Sequence, residues 1–306
     1  MSGPGSLVRP LLESLAAALR PQPSEPFGRD PELVRWLLPV FEAANRYFGT
    51  EIRGWENLPE RGPFLVVGNH SGGLETNDAA FFATRWVRER GPEAPLYGLA
   101  YDLLFAYPGM ASVLRRLGIL PASHENGRRA LAMGGPVVVF PGGDYEVFRP
   151  WPERNRIRFG RRTGFVKLAL QTGVPVVPMT IHGAHQSTFV LTRGRWIARL
   201  TGIDRLHVNV FPFVWNIPLG LTPAFVPSVV LPSKVTVQIG APLDWARHGP
   251  SLADDPAVLN ACYEEITGIM QAHLDALASE RPYPILSRLQ ELARFPWAGD
   301  DVHRRP

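Results

Sequence analysis

The chain has 306 residues, of which 45% are hydrophobic and 20% are charged, and this balance excludes an intrinsically disordered protein. Its formal net charge is +4 and its pI is about 9.5, so a basic surface suits an anionic membrane or a nucleic acid. The arginines are not interleaved with a recognisable nucleic-acid motif, so a membrane is favoured and no nucleic-acid partner is expected. The single cysteine, Cys262, excludes an intrachain disulfide framework and a zinc site built from several cysteines.

The first predicted elements are two helices, over residues 7–20 and 30–48, joined by a Pro-rich segment. In the second helix apolar residues recur at helical spacing, Asp30 is a candidate N-cap, and Pro39 predicts a kink. We expect residues 1–50 to form a pair of amphipathic helices. Such a pair packs on the core of its own protein or faces a membrane.

Short apolar strands alternate with helices from residue 63 onward. The predicted strands lie at 64–68, 96–101, 137–140, 174–182, 206–211 and 234–240. The predicted helices lie at 77–90, 109–117, 124–133, 161–172, 188–200, 255–280 and 285–294. This alternation predicts a single α/β domain over 51–245, with a mixed or mostly parallel sheet flanked by helices. Residues 246–306 are expected to form a C-terminal helical extension packed on it.

The segment 206–233 contains no Asp, Glu, Lys or Arg, and its prolines forbid a continuous helix. The sequence has no uninterrupted apolar run of 18 residues, so no transmembrane helix is predicted. Two interpretations of this segment remain open. It is a proline-rich connection packed on the domain, or it dips into a membrane interface with Phe211, Phe213, Trp215 and Phe225.

A histidine follows directly after the first buried strand, in the sequence Gly68-Asn69-His70. The ends of parallel strands are where α/β proteins place their chemistry. An imidazole can accept a proton near neutral pH, and a nearby carboxylate can hold its other ring nitrogen. His70 is therefore a candidate general base, and a histidine that only packs in the core is the alternative.

Four motifs in chain order resemble those of the glycerolipid acyltransferases, whose first motif is Asn-His-x4-Asp. They are Asn69-His70 with a downstream acid, and the runs at 117–123, 140–146 and 174–178. The resemblance covers about residues 50–240 and implies an α/β acyltransferase. It implies transfer from an acyl thioester, acyl-CoA or acyl carrier protein, to a lipid hydroxyl, with His70 as base and no cofactor or metal.

The acid of the first motif departs from the family pattern. Five positions after the histidine the chain has Glu75, and Asp78 lies eight positions after it. We predict Asp78 as the partner of His70, because the Ser71-Gly-Gly segment lengthens the loop and Asp78 falls where the helix should start. Glu75 is the rival.

The third motif reads Phe-Pro-Gly-Gly instead of the family's Phe-Pro-Glu-Gly-Thr-Arg, and so lacks an arginine thought to hold an acceptor phosphate. It resembles the branch of diacylglycerol acyltransferase-like proteins. Two classes of acceptor therefore remain open: a neutral one, such as diacylglycerol or a long-chain alcohol, and a phosphorylated one. The arginines that follow include Arg149 and Arg162. Two roles are open: they bind a phosphate or the donor's anionic carrier, or they form a solvated basic loop.

Further substrate-binding candidates come from the same motifs. The resemblance places Ser123 at the acceptor. The backbone N–H groups of Gly142 and Gly143 could hold an oxyanion or a phosphate, although glycines after a strand often only form a turn. Glu146 could order the site by hydrogen bonding.

An acyl-thioester hydrolase, with water at the His70 site, and a non-catalytic lipid-binding module of the same fold are the alternatives to transfer. His182 and His185 have the spacing of a metal pair, but the absence of a third ligand motif favours a structural role. A secretory signal pattern is missing from the first 30 residues, so we expect a cytoplasmic protein with peripheral or monotopic membrane association.

Overall fold

The computed structural model describes residues 28–72, 78–106, 109–201, 210–224, 226 and 229–294. The helices within these ranges are α1 (Pro31–Tyr47), α2 (Asp78–Arg90), α3 (Met110–Arg116), α4 (His124–Ala132), α5 (Gly143–Val147), α6 (Gly164–Thr172), α7 (Arg195–Thr201), α8 (Pro256–Glu280) and α9 (Pro284–Arg294). The strands are β1 (Glu51–Arg53), β2 (Leu65–Gly68), β3 (Tyr97–Ala100), β4 (Ile119–Pro121), β5 (Val137–Val139), β6 (Val176–His182), β7 (Phe189–Thr192), β8 (Phe213–Asn216), β9 (Gly220–Pro223) and β10 (Thr236–Ile239).

Seven strands form the main sheet, in the order β1-β10-β6-β2-β5-β3-β4. The pairs from β6 to β4 are parallel, and β10 runs antiparallel to β6 and parallel to β1. Strand β2 lies between β5 and β6, with Val66 in register with Val138 and Val177. The predicted α/β fold with a mixed, mostly parallel sheet is confirmed.

Helices cover both faces of this sheet, because the strands are apolar on both sides. Leu65 and Val67 of β2 point into a core with α6 and α8, and Phe64 and Val66 point into a second core with α2. All four side chains are fully buried. Burial on two faces is what the unbroken apolar runs of a parallel sheet provide. The strand ends and the loops that follow them are then left to carry polar groups.

The second helix of the predicted N-terminal pair is observed as α1, and the first, at 7–20, lies outside the described residues. Asp30 caps α1 by accepting hydrogen bonds from the backbone N–H groups of Glu32 and Leu33, at 2.9 and 3.2 Å. Helix α1 continues through Pro39 and packs against α2. At the other end of the chain, α8 and α9 confirm the predicted C-terminal helices within one or two residues.

The helix predicted at 188–200 is wrong in its first half. Residues Phe189–Thr192 form β7, and helix α7 starts only at Arg195. Gly194 separates the two with a positive φ of 56°, a conformation that ends a strand and that only glycine adopts easily. The β-branched and aromatic residues around Val190 favour the strand, because their packing against a second strand outweighs the helical spacing.

The apolar segment 206–233, predicted as a proline-rich connection on the domain or a segment at a membrane interface, contains a hairpin that neither interpretation foresaw. Strands β8 and β9 pair with each other, and β7 pairs with β8, in a small antiparallel sheet. The prolines fit because Pro212 precedes β8, Pro218 lies in the turn and Pro223 ends β9. Of the strand predicted at 206–211, residues up to 209 lie outside the described part of the chain, as does Phe225.

Candidate active site

The site lies at the carboxyl end of β2, where Asn69 fixes the first residue after the strand. The Asn69 side chain is fully buried and acts as a backbone substitute: its Nδ2 donates to the Ile181 carbonyl at 3.0 Å, and its Oδ1 accepts from the Ile181 N–H at 2.7 Å. The two bonds join the end of β2 to β6 beyond their last ladder contacts. Asn69 therefore sets the direction in which the chain leaves the sheet.

His70 and Asp78 form a hydrogen-bonded pair directly beyond Asn69. His70 Nδ1 lies 3.1 Å from Asp78 Oδ2, and the carboxylate also accepts from the Ser71 N–H at 3.0 Å and the Ser71 hydroxyl at 3.1 Å. Asp78 is buried at the first residue of α2, where the positive end of the helix dipole favours a carboxylate. Glu75, the rival acid, lies outside the described residues.

The other ring nitrogen of His70 is open to a reactant. The His70 side chain is 24% exposed, and no group in the described part of the chain forms a hydrogen bond with its Nε2. One face of the ring stacks on Phe140, with centroids 4.6 Å apart and an interplanar angle of 20°. The ring is thus held from one nitrogen and one face, and its second nitrogen can accept a proton.

An apolar pocket of about 440 Å³ opens beside this ring, and Phe140 separates the two. Its walls come from strand ends and from α6, and its mouth is polar. The apolar lining includes Leu99, Ala100, Val139, Phe140, Phe165 and Leu168, and the polar lining includes Ser123, Asp144 and Arg162. Three predicted substrate-binding residues, Ser123, Gly143 and Arg162, therefore line one cavity.

The polar groups at the mouth are arranged by short-range contacts. Ser123 is the N-cap of α4 and accepts from the Asn126 N–H at 3.1 Å. Arg162 is about half exposed; its guanidinium donates to the Gly142 carbonyl at 3.1 Å and pairs with Asp144 at 2.9 Å. An arginine held this way keeps part of its guanidinium surface in solvent, where an anionic group can approach it.

Helix α5 brings a buried carboxylate beneath the His70 loop. Glu146 is fully buried and accepts from the backbone N–H groups of His70 and Arg158, each at 2.9 Å. Burial raises the pKa of the Glu146 carboxyl, while Arg149 and the two N–H donors act in the opposite direction. The contact with His70 ties the third motif to the first, although 76 residues separate them in sequence.

Gly142 and Gly143 lie against this network. A Cβ on Gly142 would lie 2.4 Å from the Glu146 side chain, so only glycine fits there. Gly143 has a positive φ of 47°, and its N–H already donates to the Phe140 carbonyl at 3.2 Å. Among the described residues no acceptor faces the Gly142 N–H, which makes it the freer donor of the two.

Arg149, predicted at the substrate, is fully buried behind the loop. Its guanidinium donates to the backbone carbonyls of His70, Glu146 and Arg154, and Nη1 lies 3.9 Å from Glu146 Oε1. All of these contacts are with backbone carbonyls or with Glu146. The position of Arg149 suits a residue that holds the loop in place.

His182 and His185 are both buried near the end of β6. His185 Nε2 lies 2.9 Å from the Arg149 carbonyl oxygen. Burial lowers the pKa of His182 to about 4 and that of His185 well below its ordinary value. In the part of the chain that the structure describes, no three His, Cys, Asp or Glu side chains are grouped to hold a metal ion.

Sequence reasoning missed the parts played by Asn69, Ser71 and Phe140. Asn69 and Ser71 flank the histidine, and a polar residue in line with a buried strand is a signal for a buried hydrogen-bonding role. Phe140 carried no such signal, because its contact with His70 depends on the adjacency of β2 and β5 in the sheet.

A hydrogen-bonded His–Asp pair therefore lies at the carboxyl edge of the sheet, and Phe140 lies between this pair and an apolar pocket. A sequence model of the family described as Acyltransferase matches residues 49–182. An uncharacterised protein of Mycobacterium tuberculosis is 33% identical over 261 residues, which cover 83% of this chain and 69% of that protein. The chain therefore belongs to the glycerolipid acyltransferase family, and its enzyme class is that of the acyltransferases of lipid metabolism.

Two proteins that are named as enzymes are also similar to this chain. A Gallus gallus protein named DGAT1/2-independent enzyme synthesizing storage lipids is 26% identical over 249 residues, which cover 80% of this chain and 64% of that protein. Among solved structures, the 1-acyl-sn-glycerophosphate acyltransferase of Thermotoga maritima aligns with a TM-score of 0.49 and 18% identity, over 80% of this chain and 79% of the other. None of the helices in the described ranges has the length and apolar character needed to cross a membrane.

Proposed function

We propose that the enzyme transfers an acyl group from an acyl thioester, acyl-CoA or acyl carrier protein, to a hydroxyl of a lipid acceptor, with His70 as the general base. The observation that carries this proposal is the His70–Asp78 pair at 3.1 Å, in which Nε2 has no hydrogen bond from the described residues and Phe140 lies between the ring and the apolar pocket. Asp78 holds the proton on Nδ1, so the lone pair of Nε2 is available for the acceptor hydroxyl.

The reaction balances with these groups alone. The acceptor oxygen attacks the thioester carbonyl carbon while His70 Nε2 takes the hydroxyl proton. The tetrahedral intermediate collapses, the C–S bond breaks, and the thiolate leaves with the proton that the imidazolium returns. The Gly142 N–H is our candidate donor to the oxyanion, because Gly143 uses its own N–H in the turn.

Glu146 and Arg149 act as positioning residues in this scheme. Glu146 accepts from the His70 N–H, and Arg149 donates to the His70 carbonyl, so both backbone groups of the histidine are held. Because Arg149 is fully buried, we assign it no contact with a substrate phosphate. Arg162, which lies at the pocket mouth and is part exposed, is our candidate for the anionic carrier of the donor.

We propose a neutral acceptor, diacylglycerol or a long-chain alcohol. The third motif has Gly142-Gly143-Asp144-Tyr145 where phosphate-using members carry Glu-Gly-Thr-Arg, so the arginine is absent, and the buried Arg149 does not replace it at the site. The name of the Gallus gallus relative, which refers to storage lipids, supports the same acceptor class. The apolar lining of the pocket suits the hydrocarbon chain of a substrate.

The test is a labelled acyl-CoA assay with purified enzyme in detergent micelles, with diacylglycerol, a long-chain alcohol or lysophosphatidic acid as acceptor. We expect a new acyl ester from a neutral acceptor, and little free fatty acid when acceptor is omitted. Acylation of lysophosphatidic acid alone would contradict the neutral acceptor. Release of fatty acid at the full rate without acceptor would support the hydrolase. A parallel arm with acyl carrier protein identifies the donor.

A further inference from the structure

Helix α9 carries an apolar stripe that faces solvent. Tyr283 precedes the helix, and Leu286, Leu289 and Leu292 follow at intervals of three residues, all of them exposed. Leu286 and Leu289 are 53% and 47% exposed, and Pro284 is the one buried residue of the described helix. An amphipathic helix normally turns its apolar side to the core, so an outward stripe needs a partner.

The polar side of α9, by contrast, is attached to the protein. Arg288 Nε donates to the Tyr47 carbonyl at 2.9 Å, and Lys234 pairs with Glu291 at 2.8 Å. The backbone N–H of Lys234 also donates to the Pro284 carbonyl at 3.0 Å. These contacts fix the rotation of the helix about its axis and thereby turn its leucines towards solvent.

The end of the β8–β9 hairpin is a second exposed apolar element. Trp215 and Leu221 face each other in register, and Ile217 and Leu219 lie in and beside the turn that joins the strands. Leu219 and Leu221 are 62% and 59% exposed. The hairpin has no charged residue of its own. A tryptophan among exposed aliphatic side chains is typical of segments that enter the interfacial region of a bilayer.

Hydrogen bonds join these two elements to α1. The Val229 N–H donates to the Ile217 carbonyl at 3.1 Å, and the Tyr47 hydroxyl donates to the carbonyl of the next residue, Val230. Tyr47 is in turn the residue that α9 contacts through Arg288. The hairpin end, the end of α1 and α9 are therefore neighbours.

Helix α1 adds its own exposed stripe. Trp36, Val40 and Tyr47 are exposed and recur on one side of α1, next to the buried Leu33 at its start. We call the outward stripes of α1 and α9 together with the hairpin end the apolar face. It is built from three separate parts of the chain that have converged on one side of the molecule.

The apolar face is linked to the edge of the sheet that carries His70. Helix α9 packs against the short turn Ala184–Ser187, which follows the carboxyl end of β6. Within that turn, His185 contacts the Arg149 carbonyl, and Arg149 donates to the carbonyl of His70. A surface that receives lipid at this side would be close to the proposed catalytic histidine.

We propose that the apolar face seats the enzyme on the surface of an anionic lipid bilayer, with α9 and the hairpin end as contact elements beside α1. The charges around it fit this occupant. Arg46 and Arg294, at the ends of α1 and α9, are exposed and form no ion pair with any described residue. Exposed arginines beside an apolar surface attract anionic headgroups. The inference rests on the proposed action on a lipid acceptor and names the surface that meets the membrane.

Vesicle co-sedimentation of the full chain tests this proposal. The vesicles are phosphatidylcholine alone, or phosphatidylcholine mixed with phosphatidylglycerol. We expect wild type to bind the mixed vesicles more tightly, and Leu286→Glu/Leu289→Glu to lose about tenfold or more in the partition coefficient, because two apolar contacts with the bilayer become charged side chains. Leu219→Glu, a single change in the hairpin turn, is expected to weaken binding independently.

A matched control places the same two charges elsewhere. Met133 and Leu252 are 37% and 36% exposed and lie outside the apolar face, so Met133→Glu/Leu252→Glu should bind vesicles as wild type does. Acyl transfer in detergent micelles is measured for every variant and is expected to persist, which separates this proposal from the proposed reaction. The proposal is overturned if the α9 variant binds like wild type, or if wild type binds neither vesicle. It is also overturned if size-exclusion shows that the variant only splits a dimer.

Discussion

The His70 imidazole is held in place by the side chains around it. Its Nδ1 lies 3.1 Å from a buried carboxylate that is also fixed by both donors of Ser71. A carboxylate with these fixed donors cannot turn away from the ring, so the tautomer with an open Nε2 is favoured. The stacked Phe140 ring then limits rotation of the imidazole. The orientation of the imidazole therefore depends on the side chains that surround it.

Gly142 offers a direct test of how tightly this site is packed. Its φ of −64° suits any residue, so Gly142→Ala introduces no backbone strain, but the new Cβ would lie 2.4 Å from Glu146. We expect the variant to lose about 1–3 kcal/mol in the free energy of unfolding, as overpacked sites do, and at least part of its transfer activity. Chemical denaturation and the micelle assay measure the two effects.

The matched control is Gly268→Ala in helix α8, where nothing lies within 4 Å of the added Cβ. There the substitution should stabilise the protein by about 0.5–1 kcal/mol, because glycine is a poor residue for a helix interior. Equal effects at the two glycines would show that space beside Glu146 is not the limiting factor.

At the scale of elements, helix α5 and the loop after it hold the His70 segment through a buried charge pair. Glu146 and Arg149 are both fully buried, 3.9 Å apart, and each contacts the backbone of His70. A buried pair adds little net stability compared with apolar residues, but losing one partner leaves the other charge without compensation. The pair is therefore best understood as a device for placing the histidine.

Glu146→Gln should accordingly be costly. We expect a loss of about 3 kcal/mol in unfolding free energy, since Arg149 remains buried and one backbone N–H loses its acceptor. For a positioning residue the kcat should fall while KM changes little. Urea unfolding and steady-state kinetics provide the two measurements.

Glu125→Gln is the control for that experiment. Glu125 pairs with Arg128 on the surface of α4, with both side chains more than half exposed, and such pairs contribute about 0.2–1 kcal/mol. A Glu146→Gln variant as stable and as active as Glu125→Gln would remove the positioning role from our account.

The elements themselves could largely be predicted from the sequence. Buried strands such as β2 and β5 are unbroken apolar runs, and the helices have start signals such as Asp30 and Asp255. The prediction at 188–200 failed because an apolar segment of that length fits both periods, and pairing with β8 decided it as a strand. The local sequence pattern carries no information about which strands pair.

At the scale of the whole molecule, the candidate site depends on strand order, which the sequence does not state. His70 follows β2 and Phe140 follows β5, and the two meet only because those strands are neighbours. The choice of Asp78 could be argued from the position of the helix start, whereas the burial of Arg149 could not be foreseen. A run of arginines looks alike in sequence whether its members face solvent or carbonyl groups.

Global stability should depend on pH through the buried His182. Its pKa is lowered to about 4 in the folded protein, against 6.5 as the ordinary value, and both ring nitrogens lack a hydrogen-bond partner among the described residues. Below pH 6.5 the unfolded chain binds a proton that the folded protein refuses, so stability is lost as the pH falls from 6.5 towards 4. From pH 7 to pH 5 this histidine should cost about 2 kcal/mol.

His182→Leu isolates that contribution. Urea unfolding of wild type and variant at pH 7 and pH 5 should show that the variant loses about 2 kcal/mol less over this interval. The same loss in both proteins would mean that His182 is not the group responsible.

The central claim is tested most directly by the rate of acyl transfer from labelled acyl-CoA to a lipid acceptor, with His70→Ala, Asp78→Asn and Glu75→Gln compared with wild type. We predict that His70→Ala loses roughly 10²–10⁴ in rate, the range of general-base catalysis. Asp78→Asn should be severely impaired and Glu75→Gln much less so, because Asp78 is the acid at Nδ1. A His70→Ala variant that transfers acyl groups at the wild-type rate would contradict the account.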